Sequence, residues 1–161
     1  MLVSATAFWE VILAVHIIAV VVAFGVTFAY PVLETVGARM DPRGMPWLHR
    51  MQQTLSKRLI NPGAVVVLAA GIYLASDLHQ WSHFYVQWGI GAIIVLGALD
   101  GAYMLPRTRK LTALAERDLA ASPGEPSLSE EYFALRRRID AVGAVMGVLV
   151  LVTIYLMSVQ A

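Results

Sequence analysis

The chain has 161 residues, of which 58% are hydrophobic and 14% charged, with a formal net charge of +1 and a mean hydropathy of +0.67. A soluble domain carries roughly 25% charged residues and could not hide this much apolar side chain from water, so the expected solvent is a bilayer. The sequence contains no cysteine, which excludes disulfides, thiolate metal sites, iron–sulfur clusters and thiol catalysis.

Four apolar stretches follow in chain order. The first covers about residues 8–30, ends at Pro31 and carries only Glu10 and His16 as ionisable groups. It lacks a basic leader and is too long for a signal-peptide core, so it is expected to remain in the mature protein. The second covers about 59–76, the third about 84–105 with Pro106 at its end, and the fourth about 139–159. Crossing ~30 Å of hydrocarbon takes ~20 apolar residues, and all four qualify, the second least comfortably. The expected fold is all-α: a polytopic membrane four-helix bundle with helical cytoplasmic extensions, one domain over residues 1–161.

The basic residues set the expected orientation. Arg39, Arg43, Arg50, Lys57 and Arg58 lie between spans one and two, and Arg107, Arg109, Lys110, Arg117, Arg136, Arg137 and Arg138 lie between spans three and four. These are all 12 Lys and Arg residues of the chain. The positive-inside rule places both segments, 31–58 and 106–138, in the cytoplasm and both termini outside, which for a bacterial chain means the inner membrane. Trp9, Trp81 and Trp88 would form an outer interfacial belt, and Trp47 an inner one. The basic segments are accounted for by topology and anionic lipid, so no nucleic acid is expected as a partner.

Both cytoplasmic segments read as partly helical. Residues 47–58 fit either an amphipathic helix lying at the headgroups or a basic N-terminal extension of span two. Residues 108–121 continue span three as a polar helix. Ser122-Pro123-Gly124-Glu125-Pro126 breaks it, and Ser127 with Glu130 fits a capping box that starts a long helix running into span four. The two arms should form a hairpin.

Within the spans, Gly97 with Gly101 and Gly143 with Gly147 are GxxxG pairs. They are expected to pack spans three and four on each other, the alternative being a dimer contact. In span one, Trp9, His16, Ala23 and Thr27 share a face that should point inward.

Ionisable groups inside a membrane are costly and mark either structure or function. The neutral imidazole of His16 could ligate haem iron, copper or zinc, with His83 as the nearest second histidine by expected depth; it could equally be hydrogen-bonded to a neighbouring helix. Asp77, His79 and His83 cluster between spans two and three. The i, i+4 spacing of His79 and His83 would place both on one helical face and could chelate a divalent metal, with Glu10 close by; a hydrated loop also holds histidines without any metal. Asp100 and Asp140 are the intramembrane acids. They fit a proton or cation path, or charge pairing with Arg58, Arg107 or Arg136. No nucleotide-binding loop, nucleophile triad or zinc-protease motif is present.

Val15-His16-Ile17-Ile18-Ala19-Val20 followed by Phe24-Gly25, and the later Pro62 with Gly71-Ile72-Tyr73-Leu74, resemble the pattern of DUF2269, a family of predicted integral membrane proteins of unknown function. The first of these motifs is also similar to the opening helix of HemJ-type protoporphyrinogen oxidases and of copper-resistance D-like proteins. Kinship with the oxidases would imply haem association at His16 and porphyrinogen oxidation. Their pattern has a basic residue in a later helix, whereas span three here contains Asp100 and no Lys or Arg. Kinship with the copper-resistance proteins would imply copper handling, although this chain has no methionine-rich outer motif.

Three functions from different classes remain open at this level. One is a haem b or divalent-metal protein with a redox role through His16. Another is a non-catalytic subunit or assembly factor of a larger membrane complex. The third is a small transporter or channel using Asp100 and built by homo-oligomerisation, because four helices with short connections are expected to leave little room within one protomer.

Overall fold

The computed structural model describes residues 7–122 and 124–160, and these form four long helices with no strand among the described residues. Helix α1 spans Phe8–Met40, α2 Pro42–Asp77, α3 Phe84–Ala121, and α4 Glu130–Gln160. They are 33, 36, 38 and 31 residues long. At ~1.5 Å per residue each exceeds the ~30 Å needed to cross hydrocarbon. Each helix therefore has an apolar portion and a polar arm, and all four arms lie at one end, the end that carries the basic residues. Ile18, Val21, Val65, Ile94 and Val145 are all at least 60% exposed on the outer faces of the apolar portions. Such a surface is stable against lipid and not against water. The chain is an integral membrane protein with four helices able to span the bilayer.

Helices α1 and α2 pack most extensively, and α2 against α3 and α3 against α4 follow to about the same extent. Small residues set the α1–α2 approach. A Cβ placed on Gly63 would lie 2.7 Å from the Ala23 Cβ, and one on Gly71 would lie 3.3 Å from the His16 ring. His16 and Ala23 are the buried residues of this stretch of α1, as the inward face of span one requires. Valine at position 63 is expected to force the two helices apart and cost about 1–3 kcal/mol. Thermal unfolding in detergent reads this as a lowered midpoint; an unchanged midpoint would contradict the close approach.

Helices α3 and α4 meet differently from the expectation. The GxxxG pairs do not bring their backbones together. A Cβ at Gly97 or Gly101 would meet nothing within 4 Å, and Gly143 and Gly147 face Met104 and Phe28. The contact runs instead through Met157 against Gly89 and through Trp88, whose Nε1 donates to Thr153 Oγ1 at 3.1 Å. Gly97, Gly143 and Gly147 instead line a cavity between the helices.

At the basic end the arms build a core of ordinary soluble character. Met45, Leu48, Leu111, Leu114, Ala115, Tyr132 and Ile139 are buried together. Residues 45–55 are the extension of span two, not a separate surface helix, and they pack on the α3 arm. The arms of α2, α3 and α4 thus interlock as three, where two were expected. At the start of α4 the capping residue is Ser129, not Ser127: Ser129 Oγ accepts from the Tyr132 N–H at 3.3 Å. Asp118 on α3 fixes this register by accepting the Ser129 N–H at 2.8 Å, while Ser127 contacts Ser122. Burial, and secondarily the Arg136 charge, push the His49 imidazole on the α2 arm down to about 4, so it stays neutral beside Tyr132.

Candidate functional site: a cavity at three rewound turns

Each of the first three helices runs through a proline at the basic end of its apolar stretch: Pro31, Pro62 and Pro106. A proline inside a helix removes one hydrogen bond and drives its ring into the carbonyl of the preceding turn. In this chain the helices do not stop at these prolines; they rewind just ahead of them. Val26–Ala29 tightens to a 3-10 turn before Pro31, Ser56–Ile60 widens to a π turn before Pro62, and Leu99–Met104 widens to a π turn before Pro106. Helix α1 thus continues through Pro31 to Met40, where a connecting segment was expected, and α3 continues through Pro106 into its polar arm as expected.

All three rewound turns border one cavity of about 570 Å³ between the four helices. Thr27 and Phe28 come from the first turn, Ser56 and Ile60 from the second, and Asp100 and Met104 from the third. Wide or tight turns of this kind cluster at functional sites because they aim side chains away from the regular helical faces. The upper part of the cavity is apolar, formed by residues such as Phe24, Ile93, Leu96 and Val150. Its lower part, toward the basic end, is polar, with Tyr30, Glu34, Gln52, Ser56, Asp100 and Asp140. Contact between α1 and α4 is sparse, so the ring of helices is least closed on that side.

The two anticipated intramembrane acids face this same cavity, and they have different partners. Asp140 lies 3.5 Å from Arg136 one turn earlier on α4, so charge pairing holds for it. Asp100 has no basic group within 4 Å among the described residues. Its Oδ2 accepts a 2.6 Å hydrogen bond from Ser56 Oγ, which ties one π turn to the other. Arg58 does not reach these acids, and Arg107 lies instead over the Tyr103 ring, 3.5 Å from its centroid.

A third acid, Glu34, was not anticipated as part of the site. Its side chain is 7% exposed. Oε1 accepts from Gln52 Nε2 at 2.8 Å, and Oε2 lies 3.3 Å from Arg136 Nε. Arg136 also donates to Thr35 Oγ1 at 3.3 Å. This one guanidinium joins α4 to α1 at the base of the cavity. Nearby, the Tyr30 hydroxyl is buried on the cavity wall with no hydrogen-bond partner. The signal for these residues was the spacing His16, Val20, Ala23, Thr27, Tyr30, Glu34, which runs in alternating steps of four and three along one helical face. Ending the first span at Pro31 cut that face short.

His16 lies outside the large cavity, on an adjoining space of about 50 Å³ that shares Phe24, Ile93, Leu96 and Val150 with it. Its Nδ1 lies 3.0 Å from the Val67 carbonyl oxygen. A carbonyl can only accept, so Nδ1 carries the proton and Nε2 of the neutral ring keeps its lone pair. The outer residues do not assemble as their spacing implied. Helix α2 ends at Asp77, His79 adopts φ 55°, and the chain turns before α3 starts at Phe84, so His79 and His83 share no helical face. His83 packs against Tyr85 with ring centroids 5.5 Å apart. Glu10 accepts the Ala7 N–H at 3.2 Å and so caps α1. Among the described residues no group of three or more His, Cys, Asp or Glu side chains is placed to hold a metal ion.

No curated protein and no solved structure matches the chain. The family described as predicted integral membrane protein (DUF2269) matches residues 10–161, nearly the whole sequence, and does so across the spans, the rewound turns and the arms. The chain belongs to the DUF2269 family of integral membrane proteins.

Proposed function

We propose that this protein binds an amphipathic molecule drawn from the bilayer, holding its apolar body between the helices and its polar head at the base of the cavity. The observation that carries this reading is the cavity itself: about 570 Å³ of space, apolar above and polar below, bordered by a rewound turn from each of three helices. That volume lies in the range of small-molecule sites, ~300–1,000 Å³. The sparse α1–α4 contact supports lateral entry from lipid. The cavity offers room for a ligand within one protomer, which supports a binding role for the single chain. The basic end faces the bacterial cytoplasm in this reading, with both termini on the opposite side of the inner membrane. Segregation of all 12 Lys and Arg residues into the two basic segments supports that orientation.

Binding is tested with a dansyl-labelled single-chain amphiphile and the purified protein in nonionic detergent. Saturable binding is expected, and Gly97→Trp should weaken it by about ten-fold or more, equivalent to at least ~1.4 kcal/mol. Tryptophan at 97 has open space at its Cβ and enters the cavity without a backbone clash. Absence of saturable binding, or an unaffected Gly97→Trp variant, would overturn the reading.

A second reading rests on the tautomer of His16. An imidazole with Nδ1–H bonded to a backbone carbonyl and a free Nε2 lone pair is the form found at metal and haem sites. Here the ligand would be a metal ion or haem b taken by His16, with a redox role. Its test is an absorption spectrum and elemental analysis of protein from haem- and metal-replete cells. A Soret band or bound metal that disappears in His16→Ala supports it, and a colourless, metal-free preparation removes it.

A further inference from the structure

The charge balance of the cavity defines the ligand's head group. Three carboxyl groups, Glu34, Asp100 and Asp140, line its base, and among the described residues a single guanidinium, Arg136, lies within 4 Å of any of them. Arg136 contacts Glu34 and Asp140 and leaves Asp100 uncompensated. An ionised carboxylate in a low-dielectric interior is costly unless it is paired. Ser56 supplies Asp100 with one hydrogen-bond donor and no charge.

Three further polar atoms at the same place make no hydrogen bond. The Tyr30 hydroxyl is buried on the cavity wall without a hydrogen bond. Glu34 is more than nine-tenths buried, and its Oε2, although near Arg136, makes no hydrogen bond. Arg136 Nε likewise makes none. The polar base thus carries three carboxyl groups against one guanidinium, and a guest that brings positive charge would balance it. The apolar upper wall requires that the same guest carry a hydrocarbon body.

We infer that the ligand is a cationic amphiphile, a long-chain amine or quaternary ammonium whose head group is taken by Asp100 between the two π turns. This inference rests on the cavity-binding reading above and specifies its ligand class. Asp100 supplies the countercharge, Ser56 Oγ orients the carboxylate by donating to Oδ2, and Tyr30 faces the head group from α1. The Arg136 bridge closes the site beneath the head group. An anionic head group meets three carboxyls and is rejected; a neutral one leaves Asp100 unpaired.

The test is displacement of the dansyl probe from the full chain by two competitors with the same twelve-carbon tail, dodecyltrimethylammonium and a neutral oligo(ethylene glycol) dodecyl ether. The cation is expected to displace at a concentration at least about ten-fold lower than the ether, by ~1.4 kcal/mol. Asp100→Asn should erase the preference while the probe still binds. Asp100→Glu, which restores the charge, should restore it, and Glu130→Gln, at an exposed acid outside the cavity, should retain it. Equal displacement by both competitors in the unmodified protein would overturn the cation inference and leave the cavity reading standing. A ten-fold preference that survives in Asp100→Asn would overturn the role of Asp100. Absence of saturable probe binding would remove both.

Discussion

Tyr132→Ala is expected to cost about 3–5 kcal/mol, the range for removing a large aromatic side chain from a core that cannot collapse around the void. Tyr132 is fully buried among Met45, Leu111, Ala115 and the other residues that join the arms of α2, α3 and α4. Its hydroxyl also meets His49 Nε2 at 3.3 Å. Removing the ring withdraws the central contact of the arms while leaving the apolar helices untouched. The loss should therefore be local. Limited proteolysis of protein in detergent should show faster cleavage near residues 122–129, with helical content largely kept. Tyr132→Phe separates the two contributions: it keeps the packing, removes one hydrogen bond and should cost only about 1 kcal/mol. A Tyr132→Ala protein with unchanged unfolding midpoint and protease pattern would mean that the arms are held by other contacts. The exposed ion pairs Arg117–Glu131, Lys110–Glu131 and Arg50–Glu116 are poor candidates, since exposed pairs contribute roughly 0–1 kcal/mol each.

Arg136→Met should be comparably severe for a different reason. The Arg136 side chain is 13% exposed and lies against Glu34, which is 7% exposed, and against Asp140, which is 41% exposed. Removing one partner of a buried pair leaves the other as an uncompensated charge, at a cost of about 3–5 kcal/mol. Methionine keeps most of the volume and stem packing of arginine, so the effect reports charge and not a void. The double variant Glu34→Gln with Arg136→Met removes both charges and should recover most of the loss, because neutral replacements of a buried pair are often close to neutral overall. Unfolding midpoints of the four proteins in this cycle give the coupling. Additive single effects would show that the bridge contributes nothing as a pair, and that α1 and α4 are not joined through Arg136.

These two sites had different visibility in the sequence. The four spans were legible because lipid imposes a strong rule: long apolar runs with every cation excluded. The α3 arm was legible because the polar helix at 108–121 keeps good helix formers up to the Ser-Pro-Gly break. Pro31 reads as the end of the first helix, whereas α1 continues through it to Met40; the helix expected beyond Pro106 is present as the α3 arm. A proline ends a helix when nothing compensates its missing hydrogen bond and its ring clash; here a 3-10 or π turn just ahead absorbs both. Because the rewound turns form the cavity wall, the same misreading hid the site. Asp100 and Asp140 were singled out by charge alone, and both line the cavity. Glu34 carries the same kind of charge but was assigned to a loop beyond Pro31. The glycine pairs failed for a related reason. GxxxG permits close approach but does not compel it, and Gly97 and Gly101 face open space. Partner choice across the bundle, such as Ser56 for Asp100, depends on how two π turns are phased against each other. Local sequence spacing does not encode that phase.

The absence of cysteine from the chain allows the cavity to be probed one thiol at a time. Cysteine is placed in separate proteins at Gly97, which lines the cavity, and at Ile94, which is 60% exposed on the outer face of the same helix. Both are reconstituted in vesicles and modified with a bilayer-permeant methanethiosulfonate, with and without saturating probe amphiphile. The amphiphile is expected to slow modification at position 97 by about ten-fold or more while leaving position 94 unchanged. Equal rates at position 97 with and without the amphiphile, or equal protection at both positions, would contradict binding in the cavity.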